Sequence, residues 1–278
     1  MTVSGGCKFF KKSKCYLADG ASVAVDSGDA SKDYMLSRNP LAHWRSLGSD
    51  DLTTETITIT FPSATIDRLL LIDHNFKQYT VKYDVGSVWT NFASVVGINA
   101  LAYVGGIAET VYAKSSSYYE FTPVTTTKIQ ILAVKTQIVD DQKRLKQAIV
   151  TEEHGTLQGF PTIDAATERQ KIKKEMLSGR SFLDYTVDNF SAKINFASYP
   201  TYNVDDIDLI YELNLLDSPF HVYVCGGRDG TTYFKHQHRG FTIDDCPLVQ
   251  IVNELAPRYS KGVYINPIDL SIQLAEAP

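Results

Sequence analysis

The plainest signal in the chain is alternation. Thr56-Ile57-Thr58-Ile59-Thr60-Phe61 switches strictly between threonine and apolar residues. In an extended strand Ile57, Ile59 and Phe61 then share one buried face and the threonines the other. Pro62-Ser63 is expected to end that strand. Residues 66–72 form a nearly continuous apolar run of strand length, and Tyr79-Thr80-Val81-Lys82-Tyr83 alternates again. Asp84-Val85-Gly86 supplies the turn that leads to Trp89 and Phe92. Residues 110–113, 118–121 and 128–135 read as three further strands. Short strands separated by turn signals indicate a β-sandwich or barrel.

Elsewhere the pattern is looser. Residues 16–36 are rich in Ala, Ser, Gly and Asp and predict turns around one short strand at 21–25. Residues 140–153 are mixed, fitting either a helical turn or a last strand. Gly155, Gly159 and Pro161 then punctuate the chain, which places a domain boundary there, between units at 1–155 and 160–278. The second unit opens with strands at 171–177, 184–187 and 192–196. Asn203 is a helix N-cap, with Asp205, Asp206 and Asp208 in the first turn where the helix dipole favours acids. Ile207, Ile210 and Tyr211 share a face, so a helix is predicted over 203–216, stopped by Ser218-Pro219. Strands at 220–225, 231–237, 248–252 and 263–274 follow, with Gly226-Gly227-Arg228-Asp229-Gly230 as a hairpin turn. The expectation is a mainly β chain: an N-terminal jelly-roll β-sandwich, then a small β-barrel or sheet domain with one packed helix.

Composition agrees. At 278 residues the chain exceeds the usual domain length of about 100–200 residues, so two domains are expected. The 16 Tyr and 13 Phe against 3 Met favour strand packing. The formal net charge of -5 gives no general field for nucleic acid. The Lys8/Lys11/Lys12/Lys14 cluster reads as a solvated N-terminal arm. Four cysteines, Cys7, Cys15, Cys225 and Cys246, form no C-x-x-C pair and read as reduced thiols, although a Cys7–Cys15 bridge across a short loop is left open. No apolar run is long enough to span a bilayer, and no apolar stretch follows the N-terminal lysines as a signal peptide requires.

Candidate chemistry is sparse. His236-Gln237-His238 places two imidazoles on one side of a strand, as a metal site needs, and Asp244, Asp245 and Cys246 lie beyond the next turn. A third ligand is missing nearby, and an ordinary surface strand is the preferred reading. The Asp140-Asp141 and Glu152-Glu153 pairs are sequence neighbours, which point apart on a strand and read as solvated charges rather than as the carboxylates of a glycosidase. No G-x-S-x-G elbow occurs, and no serine, histidine and aspartate arrangement reads as a triad. Trp44, Trp89, Tyr103, Tyr112, Tyr118 and Tyr119 read mainly as sandwich core and rim. Trp89 and Tyr103 are the carbohydrate-stacking candidates if displayed on loops. No catalytic, metal-binding or cofactor-binding residue is expected.

Asn39-Pro40 with Trp44-Arg45-Ser46, the Ile57/Ile59/Phe61 strand, residues 66–72 with His74-Asn75-Phe76, the 79–84 strand, Trp89, and the strands from Tyr119-Glu120-Phe121 to Ile131 resemble, in that order, the discoidin (coagulation factor 5/8 type C) family of galactose-binding-like jelly rolls. Members with a structural calcium tend to carry Asp-Gly-x-x-x-Thr-x-Trp, whereas Ala42 stands at the threonine position here, so no calcium is expected. The resemblance implies glycan or lipid binding through loops at one end. Ser178-Gly179-Arg180, the 203–216 helix and the 219–224 strand look like the small barrel-plus-helix domain of bacteriophage tail-tube and distal-tail proteins. Together the two resemblances imply a non-enzymatic subunit of a phage tail tip or baseplate, made in the host cytoplasm and found in the virion. Its implied partners are copies of itself in a ring and neighbouring tail-tube, hub or tape-measure proteins. The rival expectation is an adhesin module that binds host-surface glycan.

Overall fold

The computed structural model describes residues 7–37, 42–48, 50–91, 117–157, 162–175, 181–195, 204–216, 218–224, 248–251, 259–260, 263–264 and 270–274. The chain is mainly β. In order its strands are β1 (Cys7–Phe10), β2 (Ser22–Val25), β3 (Trp44–Arg45), β4 (Glu55–His74), β5 (Phe76–Val85), β6 (Val88–Asn91), β7 (Ser117–Thr136), β8 (Arg144–Thr151), β9 (Glu153–Thr156), β10 (Thr162–Glu175), β11 (Ser181–Asn195), β12 (Phe220–Val224), β13 (Leu248–Ile251), β14 (Tyr259–Ser260), β15 (Val263–Tyr264) and β16 (Leu270–Leu274). Among the described residues one α-helix, α1 (Val204–Leu215), lies within the span predicted from the acidic first turn. Short 3-10 helices cover Leu17–Asp19 and Asp29–Leu36 around β2, where turns were expected.

Among the described residues the strands form two antiparallel sheets of seven and a separate β14–β15 pair. The first sheet runs β3-β8-β4-β7-β5-β6, with β2 paired to the first half of β4. Cross-strand pairs Ile57–Ile131 and Ile59–Ile129 bring the alternating faces together, and Val81 lies opposite Ile131 on its other side. These residues join Trp44, Phe61, Leu69, Leu71, Phe76, Tyr79 and Leu145 in one core, the arrangement of a β-sandwich. Each fully buried aliphatic side chain there is worth ~1.5–3 kcal/mol over exposure.

Pro62-Ser63 does not end the strand. β4 continues through it because the register with β7 shifts between Thr60 and Ala64, so the proline sits where no ladder N–H is required. Pro123 of β7 lies in the second shift, between the pairs Ile66–Val124 and Arg68–Glu120. The apolar run at 66–72 is buried on both faces: Leu69 and Leu71 belong to the sandwich core, while Leu70 and Ile72 are buried outside it. The mixed stretch at 140–153 is strand, as β8 and the start of β9.

The second sheet runs β10-β11-β16-β13-β12-β1-β9. The N-terminal strand therefore lies inside it, between β12 and β9. Strand pairing crosses the 155–160 boundary drawn from the sequence: the chain contributes β1, leaves to build the sandwich, and returns at β9. The exit and return are bound together. The Lys11 N–H donates to the Glu152 carbonyl (3.0 Å), the Lys14 N–H donates to that of Val150 (2.8 Å), and Lys11 Nζ lies 2.7 Å from Glu152. Helix α1 covers β9, with Ile210 and Leu213 buried, and a Cβ on Gly155 would collide with Leu209.

The N-terminal lysines are not a solvated arm. Lys8 is buried in β1 and pairs with Glu120 of β7, while Lys12 lies 2.8 Å from Asp19. Beside Lys8, Arg68 bonds Glu153 and lies 3.3 Å from Asp67. The partners of Lys8 and Arg68 come from strands far away in the sequence, which residue spacing alone does not contain.

Candidate functional site

Sequence selects Trp89, and strand pairing supplies its neighbours. β5 and β6 are joined by the two-residue turn Gly86-Ser87, whose φ values of 59° and 72° are both left-handed. This is the geometry of a tight hairpin whose twist matches the flanking strands. The resulting register sets Lys82 opposite Asn91, Tyr83 opposite Thr90, and Asp84 opposite Trp89. Residues directly opposite share a face, and successive residues alternate. Tyr83 packs against the sandwich core, so Lys82, Asp84, Trp89 and Asn91 form the outward face.

This face lies on β5 and β6, the latter at the end of its sheet among the described residues. Trp89 is 36% exposed, and Val85 and Val88 beside the turn are more so. The hairpin is held from behind by the Thr126 hydroxyl, which donates to the Asp84 carbonyl at 2.8 Å. Among the described residues the side chains of Lys82, Asp84 and Asn91 make no hydrogen bond or ion pair. An indole flanked by a free carboxylate, an amide and an ammonium can stack on the C–H face of a sugar while the polar groups exchange hydrogen bonds with its hydroxyls. It offers no nucleophile, acid–base pair or metal-ligand set. Lys82, Asp84 and Asn91 were not singled out from the sequence, although the alternation around Asp84-Val85-Gly86 contains the hairpin that aligns them.

The other sequence candidates disperse. Tyr103 and Tyr112 lie outside the described residues, as do His236, His238, Asp244, Asp245, Cys246 and the 226–230 turn. Trp44 is fully buried, with its indole N–H donating to the Ser27 carbonyl at 3.0 Å. Tyr119 is half-buried, and its hydroxyl bonds that of Tyr79. Asp140 and Asp141 tie their loop to neighbouring segments: Asp140 accepts from the Asp51 N–H and Asp141 from the Asn75 side-chain amide. Glu152 and Glu153 are bound to Lys11 and Arg68. Cys15 is a free, buried thiol whose pKa burial pushes far up, so it is neither bridged nor reactive. Among the described residues no three His, Cys, Asp or Glu converge as a metal site. No described helix is long and apolar enough to cross a membrane.

No protein-family model matches the chain, and no curated protein does. Solved structures align with about half of it. Chitosan-binding module 1 from the chitosanase/glucanase of Paenibacillus sp. IK-5 aligns at 16% identity and TM-score 0.37, over 49% of this chain and 97% of the module. CpGH89CBM32-5 from Clostridium perfringens, in complex with GalNAc-β-1,3-galactose, aligns at 11% identity and TM-score 0.35, over 47% and 94%. A putative α-L-fucosidase from Bacteroides thetaiotaomicron aligns at 15% identity and TM-score 0.39, over 50% of this chain and 28% of the enzyme.

Proposed function

We propose that the chain is a non-enzymatic structural subunit that carries a binding module, as in a phage tail tip or baseplate. The sheet containing β1, β9 and the C-terminal strands is the assembly base, and the sandwich is the attachment module. The observation behind this reading is the chain path: the sandwich is an excursion between β1 and β9, which flank each other in the base sheet. A module leashed at both ends is displayed in a fixed orientation, as an assembly requires, instead of swinging on a single linker. The base sheet also ends on β10 and β9 among the described residues, and edge strands are where copies pair to close rings. Native mass spectrometry of the purified chain tests the reading. A closed multimer of fixed stoichiometry is expected, and monomer at every concentration would reject it.

A second reading, a glycan-binding adhesin, is favoured by the outward face of the β5–β6 hairpin. Here Trp89 stacks on a sugar ring, while Asp84 and Asn91 fix its hydroxyls. On a glycan array, Trp89→Ala with unchanged folding should abolish binding. A wild-type chain that binds no glycan on such an array would remove this reading and leave the assembly reading intact.

A further inference from the structure

At the other end of the sandwich sheet from Trp89, β3 pairs with β8, which sets Trp44 opposite Leu145 and Arg45 opposite Arg144. Trp44 and Leu145 are buried in the core, so the two arginines stand side by side on the other face of the pair. Arg45 is exposed and Arg144 half-buried. Like charges directly opposite each other on neighbouring strands destabilise a sheet. Among the described residues neither guanidinium forms an ion pair that would relieve the repulsion.

Two more groups join them. Arg45 Nε donates to His43 Nε2 at 2.5 Å, which makes that imidazole neutral, with its proton on Nδ1 as a further donor. Lys146 Nζ lies 3.9 Å from Asp73, at the outer limit of an ion pair. His43 is held below its ordinary pKa by burial first and then by Arg45, and it also feels Arg144, Lys146 and the opposing charge of Asp73. These charges therefore surround one ring, and Asp73 is the one acid among them.

Other nearby acids are directed elsewhere. In the 3-10 helix packed beside β3, Asp29 lies 2.6 Å from Lys32, which also feels Asp33. Asp141 accepts from the Asn75 side-chain amide and the Gln142 N–H. The positive excess is local, since the chain as a whole carries a formal charge of -5. A long phosphate backbone or an anionic membrane calls for an extended basic field. Two guanidinium forks, an ammonium and an imidazole N–H instead suit one compact group with several acceptor oxygens.

We propose that Arg45, Arg144, Lys146 and His43 bind a single tetrahedral oxyanion, a phosphate or sulfate group, at the β3–β8 edge of the sandwich. The bound anion supplies the negative charge that the Arg45–Arg144 opposition lacks. The site is separate from the Trp89 face and depends on neither reading of the chain's function.

Isothermal titration of the full chain with sodium sulfate, inorganic phosphate and glucose 6-phosphate, at constant ionic strength made up with chloride, tests it. One anion per chain is expected, and Arg45→Gln or Arg144→Gln should each weaken binding by at least about tenfold, the scale of one lost charge-assisted hydrogen bond. Tighter binding of glucose 6-phosphate than of inorganic phosphate would identify an ester on a larger molecule as the source, and equal binding the free ion. Stability supplies a signature that a structural role would not give. Without the anion, Arg45→Gln removes the like-charge opposition and should have a higher urea midpoint than the wild type. Saturating sulfate should reverse that order; sulfate stabilises proteins generally, so the difference between the two proteins is the readout. By NMR, sulfate should raise the His43 pKa in the wild type and leave it unmoved in Arg144→Gln. Sulfate and phosphate that bind no better than chloride, or that bind the wild type and both variants equally, would overturn the site.

Discussion

Tyr16 and His221, 205 positions apart, share a buried hydrogen bond of 3.2 Å between the phenol oxygen and imidazole Nε2, with their rings stacked at 6.0 Å. Tyr16 lies just past the neck of the sandwich and His221 lies in β12, so the bond ties the excursion to the base sheet. Tyr16→Phe keeps the ring and removes the hydroxyl. It should cost about 1–2 kcal/mol, read as a lowered urea midpoint with an unchanged slope.

Gly28 has φ of 72°, and a Cβ there would collide with the Arg45 carbonyl oxygen and press on Trp44 Nε1. Gly28→Ala combines left-handed strain with a clash against backbone. A loss of about 3 kcal/mol is expected, visible as a lower melting temperature, with Trp44 fluorescence shifting to the red as water enters.

Arg68 bonds Glu153, lies 3.3 Å from Asp67 and approaches Glu120, and its own side chain is only 13% exposed. Arg68→Met leaves Asp67 and Glu153 facing each other without a cation between them, while Glu120 keeps Lys8. About 3 kcal/mol of destabilisation is expected at pH 7, with recovery when the buffer is acidified enough to protonate the acids. Denaturation curves at two pH values would show both effects.

His74 is fully buried, and its Nδ1 accepts the Phe76 N–H at 3.1 Å. Burial, reinforced by the positive charge of Arg144, lowers its pKa from 6.5 to about 3. The unfolded chain therefore binds a proton that the folded chain refuses between those values, and stability falls as pH drops below about 6.5, by up to about 1.4 kcal/mol per pH unit. His43 and His154 are shifted the same way, chiefly by burial, and add to the trend. Asp67, raised chiefly by burial, opposes it at the acid end. His74→Gln should flatten the slope between pH 6 and pH 4 in chemical denaturation, while the wild type stays steep.

What the sequence made legible was local. The Thr/Ile alternation at 56–61 sets a register that one slip would invert, so it marks β4 without help from the rest of the fold. The acidic first turn of α1 is equally self-contained. What it hid was set by distant partners. Pro62 reads as a stop because its tolerance depends on a bulge opposite β7. Lys8 and Lys11 read as solvated because their acids arrive at positions 120 and 152. Trp89 was recognisable by type, whereas the Asp84 and Asn91 beside it required the cross-strand register.

The neck at Lys11 and Glu152 also sets an order of events at the ribosome. Every described strand of the sandwich sheet has been synthesised by Thr151, whereas β1 must wait for Val224 to meet one of its two neighbours. Translation runs at ~5–20 residues per second, so β1 spends several seconds with an open flank after the module it leads into can close. Lesions near Cys7–Phe10 should therefore trap nascent chains with a finished head and no foundation, whereas lesions in the head should halt assembly earlier.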